Sequence, residues 1–235
     1  MIFITGDIHG DYDIHKFNTR IFPMQRELSR SDCMIICGDF GLVWRNSADE
    51  KYWLKWLDRK SWTTLWIDGN HENFDLLKEY PIEDWHGGKV QKITENIIHL
   101  CRGSVFEIDG KKIFAFGGAE SHDKEYRKLG RSIWLEEMPS AEEMEQGRKF
   151  LEMNGWQVDI VITHSLPTHI QSQLSQSMDY NANVLTDYFE EISSRLDYKL
   201  WFSGHYHISK KYDERHCLVY NNILKLTDTG FQQVR

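Results

Sequence analysis

The sequence predicts an α/β protein in which stacked β-sheets are flanked by helices. Five short apolar runs have the length of buried strands, and each ends in Gly or Thr followed by Asp, Asn or His. Stretches with apolar residues at steps of three and four separate these runs, as in amphipathic helices. Because strands and helices alternate and a β-hairpin is added, the expected architecture is a sandwich of sheets with helices outside.

The five strand-like runs share one ending, since each carries polar side chains directly after its apolar residues. With those side chains included, the runs are 1–10, 33–39, 65–71, 158–164 and 200–207. In the first run, Asp7 and His9 are two residues apart, so in extended backbone both point to the same side. Sites in layered α/β proteins form just outside the carboxyl ends of strands. We therefore expect the five loops to converge at one edge.

Helical spacing and capping residues predict the helices. Apolar residues recur at steps of three and four in 14–28 and predict one helix, which Pro23 kinks or shortens. Ser47 with Glu50, and Ser140 with Glu143, match the capping box that opens a helix. The other expected features are a buried stripe of Tyr52, Trp53, Trp56 and Leu57, a helix carrying Phe74, Leu76 and Leu77, an end of the Ser140 helix at Gly155, and a helix over 184–196.

Two further segments have recognisable patterns. Residues 105–116 predict a hairpin that turns at Asp109-Gly110, a strong two-residue turn signal. Residues 217–226 look like a closing hairpin or a bulged strand. Between them, 117–137 loses any periodicity and is crowded with polar side chains. A loop of that length inside a compact domain is unusual unless it has a function.

Length and composition limit the possible functions. The 235 residues contain no linker or repeat, so a single domain over 1–235 is expected. A net charge of -8 argues against a general nucleic-acid surface. No apolar stretch of roughly 18 residues occurs, which predicts a soluble, cytoplasmic protein without a membrane partner. The 4 cysteines lack CxxC spacing and are expected to be reduced thiols rather than zinc ligands.

The polar groups at the strand ends are suited to metal binding. They combine carboxylates, imidazoles and one amide without a thiolate: Asp7, His9, Asp39, Asn70, His71, His164, His205 and His207. Such a set suits manganese, iron or zinc rather than an iron–sulfur cluster. There are too many groups for one ion. Two metals roughly 3.5–4 Å apart, bridged by a carboxylate, are the arrangement that supports phosphoryl displacement.

The motifs GDIHG, GD, GNHE, a lone His and GHxH, in this order from Gly6 to His207, resemble those of the calcineurin-like metallophosphoesterases. The resemblance implies a four-layer α/β/β/α sandwich with two mixed β-sheets flanked by helices. It also implies two divalent ions, with manganese favoured and iron or zinc as alternatives. The implied ligands are Asp7, His9 and His207 for the first ion, Asn70, His164 and His205 for the second, and Asp39 as the bridge.

The activity implied by this resemblance is hydrolysis of phosphate esters. A hydroxide that bridges the metals would attack phosphorus, and His71, which is not a ligand, would assist the leaving group. The expected substrate is a phosphorylated small molecule, a nucleotide or a phosphoprotein. The alternatives are a nucleic-acid or cyclic-nucleotide phosphodiesterase or nuclease, and a non-catalytic protein-binding scaffold. A scaffold would be expected to lose a ligand or the histidine, and none is lost.

One block departs from the protein serine/threonine phosphatases of this superfamily. Their GDxVDRG is replaced here by 38–44, so the acidic partner of the catalytic histidine and the phosphate-binding arginine are missing from their usual positions. Glu72 and Asp75 are the alternative partners for His71. Arg127, Arg131 and Arg45 are the candidate phosphate contacts, with Arg127 favoured. The sequence of the polar loop 117–137, together with GDFGLVW, resembles that of a bacterial and phage group of these phosphoesterases. The loop is expected either to form the substrate wall or to be a solvated loop with internal ion pairs.

Overall fold

Two mixed β-sheets pack face to face in the computed structural model, which describes residues 1–174 and 180–235. In spatial order, the larger sheet contains β14 (Gly230–Gln233), β13 (Ile223–Thr227), β1 (Ile2–Thr5), β2 (Cys33–Ile36), β3 (Thr63–Trp66), β6 (Ile97–Leu100), β5 (Gly88–Lys92) and β4 (Ile82–Trp85). The smaller sheet contains β11 (Lys210–Lys211), β12 (His216–Leu218), β10 (Leu200–Ser203), β9 (Ile160–Thr163), β8 (Lys111–Phe116) and β7 (Ser104–Ile108). The strands that precede the candidate ligands pair in parallel, namely β1–β2–β3 and β9–β10.

Helices cover the outer faces of both sheets. The α-helices are α1 (Ala48–Asp58), α2 (Phe74–Leu77), α3 (Ala141–Met153), α4 (Thr168–Leu174) and α5 (Val184–Arg195). Short 3-10 helices are formed by Ile14–Phe17, Pro23–Glu27, Lys124–Tyr126 and Leu135–Glu137. In the described part of the chain, no helix has both the length and the apolar character needed to cross a membrane.

Three apolar layers explain why the strand sequences are continuous apolar runs. Ile35 of β2 faces the space between the sheets, where it belongs to the same buried cluster as Phe106 and Ile162. Its neighbour Ile36 points to the opposite face and joins the cluster beneath α1, because successive strand residues alternate. A third cluster, which includes Phe189 of α5, fills the space outside the smaller sheet. The predicted four-layer α/β/β/α sandwich is therefore confirmed.

Residues 14–28 do not form the single predicted helix. They form the 3-10 helices Ile14–Phe17 and Pro23–Glu27, separated by a turn. Pro23 disfavours helical backbone in Phe22 before it, which has φ -121° and ψ 74°. The buried Gln25 side chain donates to the Phe22 carbonyl oxygen at 2.7 Å, beside the longer backbone bond from the Gln25 N–H at 3.3 Å. The apolar spacing predicted the burial of Ile14, Phe17 and Leu28 correctly, but Ile21 is exposed and the helix is not continuous.

The start of α1 differs from the predicted capping box in one partner. The Ser47 hydroxyl accepts from the Glu50 backbone N–H at 3.2 Å, as expected for an N-cap. The Glu50 carboxylate instead accepts hydrogen bonds from the backbone N–H groups of 44–46. Tyr52 is 60% exposed, so its place in the buried stripe was wrong. The complete capping box at Ser140 is confirmed.

The segment 217–226 also differs from its predicted form. Residues 217–226 are neither a hairpin nor one strand, because β12 lies in the smaller sheet and β13 in the larger. The crossing is held by Thr5, whose hydroxyl donates to the Asn222 carbonyl oxygen at 2.7 Å. The hairpin of β7 and β8 is confirmed, with positive φ at both Asp109 (50°) and Gly110 (69°).

A buried ion pair anchors the polar loop 117–137 to the larger sheet. Arg102 Nε donates to Asp68 Oδ2 at 2.8 Å, and Arg102 Nη2 donates to the Glu136 carbonyl oxygen at 2.6 Å. Burial opposes ionisation of Asp68, but Arg102 and His99 outweigh it and lower the pKa of Asp68 to about 2. The loop is thus fixed at its far end by a side chain from outside it.

Replacing Arg102 by Leu should destabilise the protein strongly. The Asp68 carboxylate would be left buried without its cation, which typically costs about 3–5 kcal/mol. Urea unfolding measures the loss. The matched control is Arg195→Leu, which removes an exposed pair with Glu191 and a contact with the Trp156 ring and should cost less than about 2 kcal/mol. Equal losses in the two variants would contradict a structural role for the Arg102 pair.

Candidate functional site

The carboxyl ends of five strands meet where the two sheets face each other. Loops after β1, β2 and β3 come from the larger sheet, and loops after β9 and β10 come from the smaller sheet. They bring together all the predicted metal ligands, namely Asp7, His9, Asp39, Asn70, His164, His205 and His207. The site is thus shared between the sheets rather than formed on one of them.

The first group of side chains surrounds a small common space. Asp7, His9, Asp39 and His207 each offer one ligand atom within 4.8 Å of the others. The Nε2 atoms of His9 and His207 are 2.9 Å apart, and His207 Nε2 is 3.3 Å from Asp7 Oδ2. Two carboxylates and two imidazoles at such distances form a donor set suited to a divalent metal.

The second group lies on the other side of Asp39. His164 Nε2 is 3.4 Å from Asp39 Oδ1 and 3.2 Å from Asn70 Oδ1. The other carboxylate oxygen, Asp39 Oδ2, is 3.7 Å from His9 Nε2 in the first group. The ring of His205 packs against that of His164 with 5.0 Å between centroids. Asp39 therefore presents one oxygen to each group.

Hydrogen bonds around the site fix which atoms face it. His164 Nδ1 donates to the Cys37 carbonyl oxygen at 2.7 Å, so Nε2 is the ring nitrogen that faces the site. The Asn70 Nδ2 group donates to Ser121 Oγ at 3.1 Å, so its carboxamide oxygen is the atom that faces His164. Both arrangements turn toward the site the atom that a metal would use, His164 Nε2 and Asn70 Oδ1.

Buried negative charge makes the site favourable for cations. Burial would lower the pKa of His164, but the carboxylates of Asp39 and Asp7 outweigh it and raise that pKa to about 10. Burial also opposes ionisation of Asp39, yet the neighbouring imidazoles, first His164, hold its pKa well below the usual value. A divalent ion would be stabilised by the same carboxylates.

Glycines precede the ligands because the site leaves no room for a side chain. A Cβ atom on Gly38 would overlap the His164 ring, and one on Gly69 would overlap Asp39. A Cβ atom on Gly204 would likewise overlap the Asp7 carboxylate. The small residue in the GD, GN and GH motifs is thus required by close packing of the ligands.

Several candidate ligand residues adopt backbone conformations that L-amino acids rarely occupy. The φ angles are 46° for His9, 48° for Asp39, 68° for His205 and 51° for His207. Such left-handed conformations outside glycine are uncommon and typically cost about 1–3 kcal/mol each. They turn the chain sharply after each strand and direct the side chains inward.

His71 lies at the rim of the site beside a cation. Its ring centroid is 5.2 Å from that of His9, and Arg127 Nη2 donates to His71 Nε2 at 3.0 Å. Arg127 is held in turn by Asp123, whose Oδ1 is 2.7 Å from its Nε. Burial, with a contribution from Arg127, lowers the pKa of His71 even though Asp39 opposes the shift.

The alternative partners considered for His71 are engaged elsewhere. Glu72 accepts hydrogen bonds from the backbone N–H groups of Phe40 and Gly41, and Asp75 accepts from the Trp134 indole. Arg131 is exposed in the turn after Lys128. Arg45 lines a cavity that borders His9 and His71. Of the three candidate arginines, Arg127 is the one that the structure brings to His71.

Two supporting residues were missed by sequence reasoning. Ser121 orients Asn70, and its only sequence signal is its place in the polar run before Arg127. Lys16 is buried beneath the first motif, where its Nζ donates to the carbonyl oxygens of Gly6 at 3.0 Å and Asp7 at 2.9 Å. A charged residue between the buried Ile14 and Phe17 was the available signal for this role.

Comparisons with known proteins agree with this geometry. The sequence profile of the calcineurin-like phosphoesterases matches residues 1–209. Lariat debranching enzyme A of Xenopus laevis is 25% identical over 236 residues, which is 88% of this chain and 42% of that protein. The human lariat debranching enzyme is 25% identical over 243 residues, 87% of this chain and 41% of its own length. The chain thus spans about two fifths of these curated relatives.

A solved structure shares the fold. It is a proposed 5'-nucleotidase from Staphylococcus aureus in complex with alpha-ketoglutarate, with a TM-score of 0.51 and 14% identity over 99% of this chain and 52% of that one. The match to the family profile covers most of the chain, and the five motifs that carry it form one site. The protein belongs to the calcineurin-like phosphoesterase family.

Proposed function

We propose that the protein hydrolyses phosphate esters with two divalent metal ions held at this site. The observation that supports two ions is Asp39, which presents Oδ2 to His9 and Oδ1 to His164. Asp7, His9 and His207 would hold the first ion, Asn70, His164 and His205 the second, and Asp39 both. Such a pair supplies Lewis acidity toward phosphate and lowers the pKa of water.

We assign proton transfer to His71 and phosphate binding to Arg127. The Arg127 guanidinium now donates to His71 Nε2, so a phosphate oxygen that accepts this hydrogen bond would release the nitrogen. His71 Nε2 is then free to hold a proton and give it to the leaving oxygen. Asp123 keeps the guanidinium in place during this exchange. The loop that carries Arg127 would form the substrate wall.

Hydrolysis of a generic aryl phosphate and its bis-aryl diester tests the proposal directly. Metal-stripped protein is refilled with manganese, iron, zinc or magnesium, and ions per chain are counted beside turnover. Manganese is expected to give the highest rate, with iron or zinc as the alternatives that the imidazole-rich ligand set permits. Failure of every metal to support turnover, with two ions bound per chain, would overturn the hydrolase and favour a binding scaffold.

A second candidate function is cleavage of phosphodiesters in nucleic acid. It is favoured by the curated relatives, which are named as lariat debranching enzymes. The net charge of -8 means that a strand would be held locally at the site rather than along a basic surface. Diester turnover that exceeds monoester turnover would support this candidate.

We also place the protein in the cytoplasm, a proposal supported by its free cysteines.

Replacing Arg127 by Ala should weaken substrate binding. Its charge-assisted hydrogen bonds to phosphate would be lost, so KM should rise roughly tenfold or more. Steady-state kinetics on the preferred aryl ester measure the change. Arg131→Ala is the matched control, since Arg131 lies in the same loop but is exposed. Unchanged kinetics in Arg127→Ala, or an equal effect in both variants, would count against the assignment.

A further inference from the structure

A cavity of about 470 Å³ opens beside the rim of the metal site. His9 and His71 contribute to its wall, whereas His164 and His205, on the other side of Asp39, do not. The cavity therefore approaches the site from the side of His71. Because we assign His71 to the leaving oxygen, the group that departs from phosphorus would lie in this cavity.

The lining of the cavity is both aromatic and polar. Trp44 and Trp53 provide apolar ring surface, and Arg45, Asp11 and Asp49 provide charged groups. Arg45 and the two aspartates are exposed, so they can exchange water for a ligand at low cost. A ligand that suits this lining has a flat aromatic face together with several hydrogen-bond donors and acceptors.

The Trp44 wall is fixed before any ligand binds. The Glu50 carboxylate accepts from the backbone N–H groups of Arg45 at 2.8 Å and Asn46 at 2.8 Å. The Asn73 side chain donates to the Trp44 carbonyl oxygen at 2.7 Å, and the Trp44 ring packs edge-on against Trp134. A preformed aromatic wall reduces the entropy lost on binding and is typical of a ligand site.

We infer that this cavity binds a nucleoside as the leaving group of the substrate, an inference that rests on the proposed function. Its volume is larger than an alkyl or inorganic leaving group requires and falls in the range of small-molecule sites. Stacking of a base on tryptophan supplies binding without sequence preference. Asp11 and Asp49 can accept from sugar hydroxyls or base N–H groups, and Arg45 can donate to a base carbonyl. Both a small nucleotide ester and the end of a nucleic-acid strand contain such a nucleoside.

The test compares two diesters, of which only one can release a nucleoside. One is a dinucleoside monophosphate, and the other is dimethyl phosphate. For the manganese-loaded protein, kcat/KM should be at least roughly tenfold higher for the dinucleotide, as stacking of one base typically provides. This ratio should fall toward one in Trp44→Ala. In Trp156→Ala, which removes a tryptophan that stacks on Arg195 instead, the ratio should stay unchanged.

Two further measurements make the outcome independent of folding and of turnover. Asp49→Asn and Arg45→Ala change exposed side chains and should each lower the same ratio if Trp44→Ala fails to fold. Calorimetric binding of adenosine to the manganese-loaded protein, weakened by these variants, should be seen whether or not hydrolysis occurs. Ester hydrolysis with equal rates for both diesters would overturn the cavity inference alone. Adenosine binding without any hydrolysis would overturn the proposed function alone.

The same assay separates the possible sources of the leaving group. A single strand of ten nucleotides that is cleaved with a kcat/KM like that of the dinucleotide would support one nucleoside site used by either substrate. A phosphotyrosyl peptide also offers an aromatic leaving group. If the peptide is the substrate whose cleavage depends on Trp44, and the dinucleotide is not, the nucleoside assignment is wrong.

Discussion

Replacing Asp39 by Asn is expected to abolish most of the activity, because Asp39 is the residue that faces both groups of ligands. Its Oδ1 accepts from the His71 backbone N–H at 2.8 Å, and an amide oxygen can keep this bond. The variant therefore removes negative charge while it preserves shape. A bound metal pair provides several kcal/mol of transition-state stabilisation, so kcat/KM should fall roughly a thousandfold or more.

Metal content distinguishes this loss from general damage. Asp39→Asn should bind fewer than two manganese ions per chain, measured by elemental analysis after dialysis. Asp159→Asn is the matched control, because Asp159 also adjoins a buried strand but pairs with Lys199 at the surface. It should retain both ions and full activity. If Asp39→Asn keeps two ions with the affinity of the parent protein, Asp39 is not the bridge.

The second large effect is expected from His71→Ala. Loss of a general acid usually lowers kcat by about 10²–10⁴-fold. The loss should be greatest for an alkyl ester, whose basic leaving oxygen needs a proton, and smallest for a p-nitrophenyl ester, whose leaving group departs as an anion. Metal content should be unchanged, since His71 contacts Arg127 rather than forming part of either ligand group.

Dependence on the leaving group is the measurement that decides the role of His71. If kcat falls equally for alkyl and p-nitrophenyl esters, His71 stabilises charge in the transition state rather than acting as a general acid. Loss of metal from His71→Ala would make it a ligand. His86→Ala is the control, because His86 is an exposed histidine in the turn between β4 and β5 and lines a different cavity. It should affect neither rate.

The sequence allowed the convergence of the candidate ligands to be predicted, because each follows its strand directly. Asp7, Asp39 and His164 are positioned by local chain direction, and parallel pairing of their strands brings them to neighbouring loops. The same reasoning identified the turn at Asp109-Gly110, where both residues must adopt positive φ. Signals contained within a few residues were therefore sufficient to place the candidate ligands together and to predict most of the strands.

Features that depend on how the chain folds back on itself, near or far in sequence, could not be predicted in this way. Glu50 had a plausible role in a local capping box, but the N–H groups of 44–46 fold back and take its carboxylate. Arg102 is linked to the loop 117–137 through Asp68 and Glu136, which are 34 residues away in each direction. The separation of β12 and β13 into different sheets likewise depends on pairing with β10 and β1. Periodicity contains no information on these choices.

The left-handed backbone at His9, Asp39, His205 and His207 has a consequence for how the metal site is assembled. In zinc fingers, metal binding and folding are one event, because the ligands are disordered without the ion. Here the ligand positions are set by the ends of buried strands, so the energy that holds them comes from the apolar layers. Folding and metal loading would then be separate steps, with the chain folding first. The ion that enters would be set by the geometry and chemistry of these preformed ligands and by the supply of metals in the cell, rather than by the folding reaction.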